Sequence, residues 1–229
     1  MSDWKAAQLQ DICSFISRGV TPFYIDDGGI AVLNQRCIRN QIVSFDNQRR
    51  TDPEQRNVPS ERYLKVFDIL VNSTGKGTLG RVAQVTRLYE PTTVDSHVTI
   101  VRPRPEAIMP QFLGLILRSR EIEIESMGRG STGQTELPKS VLSQMSVLIP
   151  AVRHQTFSVE VIFHIDNHIA SLETENETLE SAARTIFKSW FVDFDPVQAK
   201  ARGEHPPGID AETASLFPDS FEESELGLI

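Results

Sequence analysis

Residues 152–192 read VRHQTFSVEVIFHIDNHIASLETENETLESAARTIFKSWFV and contain neither glycine nor proline. Apolar residues recur in this stretch at alternating steps of three and four, which is the a/d pattern of a coiled coil. The stretch therefore predicts one long helix of the coiled-coil type, about 60 Å long at 1.5 Å per residue. Asn176 is the single polar residue of the pattern, a placement that fixes register. The predicted seam consists of Ile162, Ile165, Ile169, Leu172, Asn176, Leu179, Ala183 and Ile186.

An apolar seam of this length needs a partner. Each isoleucine or leucine left in water forgoes roughly 1.5–3 kcal/mol of burial free energy. Another helix is the natural cover for an a/d seam. The alternative is that the helix lies across its own domain.

Residues 1–151 have a different pattern, with short β-branched runs separated by glycine, proline, asparagine and aspartate. Such runs are typical of strands. The predicted strands lie within residues 29–38, 66–74, 80–86, 97–103 and 145–150. Helical spacing of apolar residues over 110–127, beginning at Pro110, predicts a helix, and a second short helix is expected near 135–144. The order lacks regular βαβ alternation, so we predict an α+β domain with a curved, mostly-β sheet and a few helices.

Charge is divided unevenly along the chain, whose formal net charge is -8. Residues 1–150 contain 18 lysines and arginines and 16 acidic residues, whereas the remainder contains 5 and 15. The first part is thus mildly basic, and the second part strongly acidic, which predicts different partners for the two. Residues 193–229 are rich in Pro, Gly, Asp and Glu, and we expect them to form an irregular acidic tail.

Two glycine-rich segments, NSTGKGTLGRV (72–82) and MGRGSTGQTELPKS (127–140), are candidates for binding phosphate. Neither has the Gly-Lys-Ser/Thr followed by a helix that a nucleotide-binding P-loop requires. Both offer backbone amides, hydroxyls and cations of the kind that contact the DNA backbone, although simple turns are the alternative. Asn72, Lys76, Thr78, Arg81, Arg129, Ser131, Thr132 and Gln134 are the candidate DNA-binding residues. Arg36 and Arg39, near a predicted strand end, are candidates for base contacts.

No constellation of catalytic residues is apparent, so we expect the chain to catalyse nothing itself. The pair His164 and His168 lacks the glutamate and third ligand of a zinc motif, and no metal site is expected. Cys13 and Cys37 fit no metal spacing and indicate free thiols in a reducing compartment. Without a signal peptide or an apolar run long enough to cross a membrane, we expect a cytoplasmic protein.

Three stretches together resemble the specificity subunit of type I DNA restriction–modification systems. MSVLIPAVRHQTFSVEVIFHIDNHI (145–169) is similar to the signature that ends a recognition domain and opens a long helix, with Gln155 and Asp166 as matching residues. LESAARTIFKSWFVDFDPV (179–197) resembles the aromatic-rich end of the family's conserved helix. MGRGSTGQTELPKSVLSQ (127–144) resembles the loop and short helix that precede the signature.

The resemblance implies a DNA target-recognition domain over 1–151, a spacer and dimerisation helix over 152–192, and a tail over 193–229 that leads toward a second recognition domain. A full specificity subunit has two recognition domains with antiparallel helices, whereas one copy is present here. We therefore expect a half-length form that dimerises through antiparallel long helices on double-stranded DNA. Its expected DNA site is bipartite, with two half-sites.

The resemblance also implies the partners. A modification subunit, an adenine methyltransferase using S-adenosylmethionine, is expected to dock at the aromatic residues Phe187, Trp190 and Phe191. A restriction subunit would use ATP and magnesium, while this chain would bind no cofactor. The alternative function is a coiled-coil adaptor or decoy that binds the methyltransferase without recognising specific DNA.

Overall fold

A computed structural model describes residues 4–130, 135–224 and 227–228, and it divides the chain into two compact units, 1–162 and 163–229. The helices are α1 (Leu9–Ile12), α2 (Pro110–Ser119), α3 (Glu121–Ser126), α4 (Lys139–Ser143), α5 (Val152–Phe191), α6 (Asp195–Ala201) and α7 (Ala211–Ser215). The strands are β1 (Lys5–Gln8), β2 (Cys13–Arg18), β3 (Tyr24–Ile25), β4 (Ile30–Leu33), β5 (Ile38–Arg39), β6 (Ile42–Val43), β7 (Arg49–Thr51), β8 (Ile69–Asn72), β9 (Val82–Gln84), β10 (Thr92–Val94), β11 (Val98–Pro103), β12 (Ser146–Ile149), β13 (Glu223–Ser224) and β14 (Gly227–Leu228).

The strands of the first unit form two four-stranded sheets and two smaller pairs. One sheet has the order β2-β11-β8-β9 and is antiparallel throughout. The other has the order β10-β4-β7-β3, in which only β10 and β4 are parallel. The pairs are β1 with β12 and the hairpin β5–β6. The predicted α+β class is thereby confirmed, with its strands shared among several sheets.

The sheet β2-β11-β8-β9 is covered on both faces, because side chains alternate along a strand. Ile69 and Val71 of β8 join an apolar cluster with Phe112 and Leu113 of α2. Leu70, between them, joins a second cluster with residues of β4 and β10. Both free thiols, Cys13 and Cys37, belong to these clusters, and burial raises the pKa of Cys13 to about 12.

The helix predicted over 110–127 is interrupted, because it ends at Ser119 and resumes at Glu121. Arg120 between them has φ -114° and ψ 21°, outside the helical region. Its guanidinium donates to the carboxylate of Glu123, at 2.6 Å, and to the backbone oxygen of Ser146, at 2.7 Å. The bond to Ser146 attaches the helix break to β12, and the bond to Glu123 attaches it to α3. The spacing of apolar residues could not indicate either contact.

The long helix is observed as Val152–Phe191, which confirms the prediction from the heptad pattern. The expectation of an irregular tail after it is corrected, because α6 and α7 lie there. Pro196 stands in the first turn of α6, where its missing N–H costs nothing. The side chain of Asp210 caps α7 by accepting from the backbone N of Thr213 at 2.9 Å, and this hydrogen bond lowers the pKa of Asp210. No helix in the described part of the chain combines the length and apolarity that a membrane span requires.

Candidate nucleic-acid interface

The two glycine-rich segments singled out by the sequence lie side by side in the structure. The backbone N of Leu137 donates to the backbone oxygen of Ser73 at 2.8 Å, and Thr74 forms an isolated antiparallel bridge with Glu136. The first segment connects β8 to β9, and the second connects α3 to α4. Strand pairing thus brings together two loops that are far apart in the chain.

Positive backbone φ angles give the first loop its shape. Gly75, Gly77 and Gly80 have φ of 97°, 71° and 86°, a region that glycine enters without a steric penalty. A Cβ at Gly75 would lie 2.3 Å from the hydroxyl oxygen of Thr78. That hydroxyl donates to the backbone oxygen of Thr74 at 3.1 Å and so closes the turn. Thr78, a candidate DNA contact, therefore acts within the loop by bracing it.

Arg81 also braces this loop, because its Nη2 donates to the backbone oxygen of Gly77 at 2.7 Å. The side chain of Lys76 is exposed at the tip. Of the two cations predicted for this loop, Lys76 is therefore the one that points into solvent, and Arg81 fixes the backbone beneath it. We therefore expect Lys76 to contact a ligand and Arg81 to support the loop.

Asn72 is fully buried, which corrects the expectation that it contacts DNA directly. Its Nδ2 donates to the backbone oxygen of Gln35 at 3.0 Å, and its Oδ1 is buried with no hydrogen-bond partner in the described residues. Gln35 begins the 3-10 turn Gln35–Cys37, so Asn72 ties that turn to the first glycine-rich loop. The side chain of a polar residue at a strand end can point into the core or into solvent, and the sequence does not indicate which.

The turn that Asn72 holds carries Arg36, which is exposed. The side chain of Asn34 caps the turn by accepting from the backbone N of Arg36 at 2.8 Å. Arg39 is also exposed but lies at the tip of the β5–β6 hairpin, whose turn residues Asn40 and Gln41 both have positive φ. Gln41 anchors this tip on α2, because Arg118 Nε donates to Gln41 Oε1 at 2.9 Å. Arg36 and Arg39 are therefore positioned by separate contacts.

Arg129 is exposed on the second glycine-rich loop. Its backbone N and O exchange hydrogen bonds with Glu136 at 2.8 and 2.9 Å, which fixes the base of the loop. The other candidates on this loop, Ser131, Thr132 and Gln134, lie outside the described residues. Arg36, Lys76 and Arg129 are thus the exposed cations of three loops, 34–37, 72–81 and 128–137, which we call the loop cluster.

Two residues that contact the loop cluster were missed by sequence reasoning. Arg18, at the end of β2, donates from Nη2 to Glu136 Oε2 at 3.0 Å and so offsets the negative charge of the residue whose backbone bridges the two loops. His97 contacts the hydroxyl of Thr74 through Nδ1 at 2.7 Å. Neither residue lies near a glycine-rich segment in the sequence, so no local pattern could have identified them.

Asp95 supports the turn that carries His97. Its carboxylate accepts from the backbone N of His97 at 2.9 Å, and only 4% of the residue is exposed. Burial raises the pKa of Asp95, while the hydrogen bond from His97 acts in the opposite direction. This buried carboxylate is a structural part of the turn rather than a surface charge.

The start of α5 is fastened to the first unit by Gln155, which is only 3% exposed. Its Oε1 accepts from the backbone N of Met109 at 2.9 Å, and its Nε2 donates to the backbone oxygen of Pro150 at 2.9 Å. One amide side chain thus satisfies two backbone groups where α2 and α5 begin. Asp166, the other residue that matched the family signature, lies on the exposed part of α5.

Replacing Gln155 by leucine is expected to lower the free energy of unfolding by about 2 kcal/mol. The Met109 N–H and the Pro150 carbonyl would lose their partner, and an unsatisfied buried polar group costs about 1–3 kcal/mol. Denaturant unfolding of both variants would measure the difference, with Glu160→Leu on the exposed face of α5 as the control. Equal loss of stability in the two variants would contradict this role for Gln155.

The large apolar side chains of the α5 seam are about half exposed from Ile165 to Ile186, and Ile162 at its start is half-buried. The exposed fractions of its large side chains are 49% for Ile165, 49% for Ile169, 46% for Leu172, 59% for Leu179 and 48% for Ile186. Asn176 and Ala183 are exposed as well. Residues 165 to 186 thus present an apolar stripe along the part of α5 that belongs to the second unit.

The aromatic end of α5 has two parts. Phe187 and Phe191 are 60% and 54% exposed, whereas Trp190 is half-buried and packs edge-on against Phe217 with 5.4 Å between ring centroids. Trp190 and Phe217 also line an apolar cavity of 410 Å³ with Phe194 and neighbouring residues. Trp190 therefore has a structural role in the second unit. Phe191 also lines the cavity and lies 6.3 Å from Phe217 between ring centroids, so Phe187 presents the more exposed aromatic surface.

Curated relatives of this chain are specificity subunits of type I restriction enzymes. The HindI specificity subunit of Haemophilus influenzae is 32% identical over 225 residues, covering 94% of this chain and 46% of that protein. The MjaIX specificity subunit of Methanocaldococcus jannaschii is 26% identical over 203 residues, covering 85% and 45%. The chain thus spans about half the length of the curated relatives it matches.

Solved structures of the same kind share the fold. The S subunit of a type I restriction-modification system from M. genitalium superposes with a TM-score of 0.57 at 15% identity, over 84% of this chain and 48% of that one. The HsdS subunit from Thermoanaerobacter tengcongensis gives 0.56 at 16% identity, over 82% and 44%. Residues 1–181 match the family described as the type I restriction modification DNA specificity domain. The resemblance seen in the sequence is confirmed, and the chain belongs to this family.

Proposed function

We propose that this chain is a non-catalytic subunit that recognises DNA sequence and directs a partner adenine methyltransferase, together with a restriction subunit, to a bipartite site. The observation that carries the proposal is the loop cluster, in which three loops joined by hydrogen bonds each carry an exposed cation. Family membership over residues 1–181 supports the same reading. We place this activity in the cytoplasm.

The loop cluster suits duplex DNA for two reasons. Lys76 and Arg129 offer charge to phosphates, whose neutralisation supplies much of the affinity of DNA-binding proteins. Arg36 can donate two hydrogen bonds to a guanine edge, the commonest specific contact in the major groove. Because Asn72, Thr78 and Arg81 fix the first glycine-rich loop and the turn at Gln35, little conformational entropy of these two segments would be lost on binding.

Dimerisation through α5 would cover the exposed seam and supply the second half-site. In an antiparallel pair, an a position of one helix faces a d position of the other. Centring the pair on the seam places Ile169 opposite Leu179 and Ile162 opposite Ile186. The two recognition domains would then be related by a two-fold axis, and the DNA site would be a palindrome with a fixed spacer.

Catalysis and cofactors belong to the partners in this proposal. The methyltransferase would bind S-adenosylmethionine, and the restriction subunit would bind ATP and magnesium. This chain would bind no cofactor and would contribute recognition alone. The competing function is an adaptor or decoy that binds the methyltransferase without recognising DNA. An experiment must distinguish this function from DNA recognition.

Co-expression with a type I modification methyltransferase of the same host, followed by genome-wide mapping of methylated adenine, tests the proposal. We expect methylation that depends on this chain and falls on a bipartite palindrome. Methyltransferase binding without any chain-dependent methylated sequence would favour the adaptor and overturn DNA recognition. Methylation of an asymmetric site would overturn the symmetric dimer but leave DNA recognition standing.

Replacing Phe187 by alanine is expected to weaken methyltransferase binding by about 2 kcal/mol, or roughly 30-fold, because exposed aromatic anchors dominate many interfaces. Phe163→Ala is a matched control, since Phe163 is also 60% exposed on α5. Titration calorimetry of the two variants against the methyltransferase would measure the effect. Equal affinities would remove Phe187 from the docking surface, and light scattering would check that the oligomeric state is unchanged.

A further inference from the structure

Three hydrogen bonds hold His97 beside the loop cluster. Its backbone N donates to Asp95 Oδ1 at 2.9 Å, its backbone oxygen accepts from the N of Ser73 at 2.8 Å, and its Nδ1 lies 2.7 Å from the hydroxyl of Thr74. The residue is nevertheless exposed. Main chain and ring are thus both fixed, and Nε2 is the ring nitrogen that these three bonds leave for another partner.

The Thr74 contact favours one tautomer of the His97 ring. Thr74 is only 8% exposed, so its hydroxyl hydrogen needs an acceptor, and Nδ1 of His97 lies 2.7 Å from the hydroxyl oxygen. We therefore assign the hydroxyl as the donor and Nδ1 as the acceptor. A hydroxyl that donates to Nδ1 uses the lone pair of that nitrogen. In the neutral imidazole the proton then resides on Nε2. His97 therefore offers an N–H donor in a fixed direction.

The position of this donor connects it with the two glycine-rich loops. Ser73 and Thr74, which bind His97, open the first loop, and Thr74 is bridged to Glu136 of the second. Lys76 and Arg129 are the exposed cations of those same loops. A ligand that contacts both loops would lie against the junction at which His97 is held.

We propose that His97 is a further DNA-contacting residue, whose Nε2–H donates to a hydrogen-bond acceptor of the duplex and whose orientation is set by Thr74. This inference rests on the proposed DNA-recognition function and extends it. The acceptor is a phosphate oxygen or a purine N7 or guanine O6, which present the same chemistry to an N–H donor. Thr74 acts as a positioning residue.

Three substitutions distinguish the contribution of the Nε2 donor to DNA binding from the contribution of the Thr74 contact. His97→Asn keeps an atom near the position of Nδ1 but has no donor at the position of Nε2. His97→Gln places an amide N–H near the position of Nε2. Thr74→Val removes the hydroxyl and leaves the imidazole free to exchange tautomers. Binding of the full chain would be measured on the mapped duplex and on a scrambled duplex over a range of salt concentrations.

We expect His97→Asn to weaken binding about tenfold, His97→Gln to recover part of that loss, and Thr74→Val to weaken binding less than His97→Asn. A loss confined to the mapped duplex would assign the acceptor to a base, and an equal loss on both duplexes would assign it to phosphate. Thermal unfolding of each variant would confirm that it is folded.

Wild-type affinity in His97→Asn, with Lys76→Ala weakened, would overturn the role of His97 and leave the proposed function intact. Wild-type affinity in both variants would overturn the proposed function itself. Equal losses in His97→Asn and His97→Gln would assign His97 to loop structure rather than to DNA contact.

Discussion

Replacing Ile169 and Leu179 together by lysine is expected to leave the chain monomeric. In the proposed antiparallel pair these two residues face each other across the helices, so a dimer would lose four buried apolar side chains. Full burial of such a side chain is worth roughly 1.5–3 kcal/mol, and each is already about half-buried in the single chain, 49% and 59% exposed. The expected loss is therefore about 3–6 kcal/mol before repulsion between the new charges.

Light scattering would measure this change as a mass of 25.7 kDa for the variant and twice that for the wild type. The double variant Asn167→Lys and Ser181→Lys adds the same charge to exposed positions off the seam, and it should remain dimeric. A wild-type chain of monomer mass would remove the homodimer from the proposal. A monomeric control would show that added charge, rather than the seam, accounts for the effect.

Salt concentration gives an independent check on the same dimer. Glu173 occupies an e position beside the seam, and an antiparallel pair centred on the seam brings it near the Glu173 of the second copy. Glu175, at a g position, meets its own copy in the same way. Like charges repel, and salt screens them. Dimerisation should therefore strengthen as salt rises, whereas DNA binding should weaken.

The long helix could be predicted from the sequence because its signal is local and periodic. The pattern from Ile162 to Ile186 repeats without interruption, and the observed helix, Val152–Phe191, ends one residue before the predicted boundary. The break at Arg120 was missed, because it depends on hydrogen bonds to Glu123 and Ser146 rather than on spacing. Periodicity indicates the face that a helix buries, and tertiary contacts decide where the helix stops.

The loop cluster could be predicted only in part. Composition identified Lys76 and Arg129, since glycine-rich loops with cations are visible in the sequence. The juxtaposition of their loops depends on sheet pairing between distant segments, and no single-sequence pattern indicates that Thr74 meets Glu136 or His97. Burial of Asn72 likewise follows from the neighbouring turn at Gln35. Residue types were therefore predictable, whereas their division into contacting and supporting roles was not.

The second large effect is expected in DNA affinity, when the three exposed cations of the loop cluster are removed. The triple variant Arg36→Ala, Lys76→Ala and Arg129→Ala is expected to reduce DNA affinity on the order of 10³-fold near physiological salt. Each phosphate contact contributes about 0.9 to the slope of log affinity against log salt, so the loss of Lys76 and Arg129 should lower the slope by about 2 for each bound chain. The loss of Arg36 removes the proposed base contact and lowers the affinity further. Their side chains are exposed, so the fold should keep its stability.

A matched control removes the same charge elsewhere. Lys5, Arg56 and Lys65 are exposed and lie outside the loop cluster, so alanine at these three positions should leave both affinity and slope close to those of the wild type. Fluorescence anisotropy with one labelled duplex across a salt series would measure both variants. If the two triple variants lose affinity equally, DNA responds to the net charge of the chain, and the loop cluster is not its binding site. If only the Arg36, Lys76 and Arg129 variant loses affinity, the position of the charges causes the loss, because both variants change the net charge by the same amount.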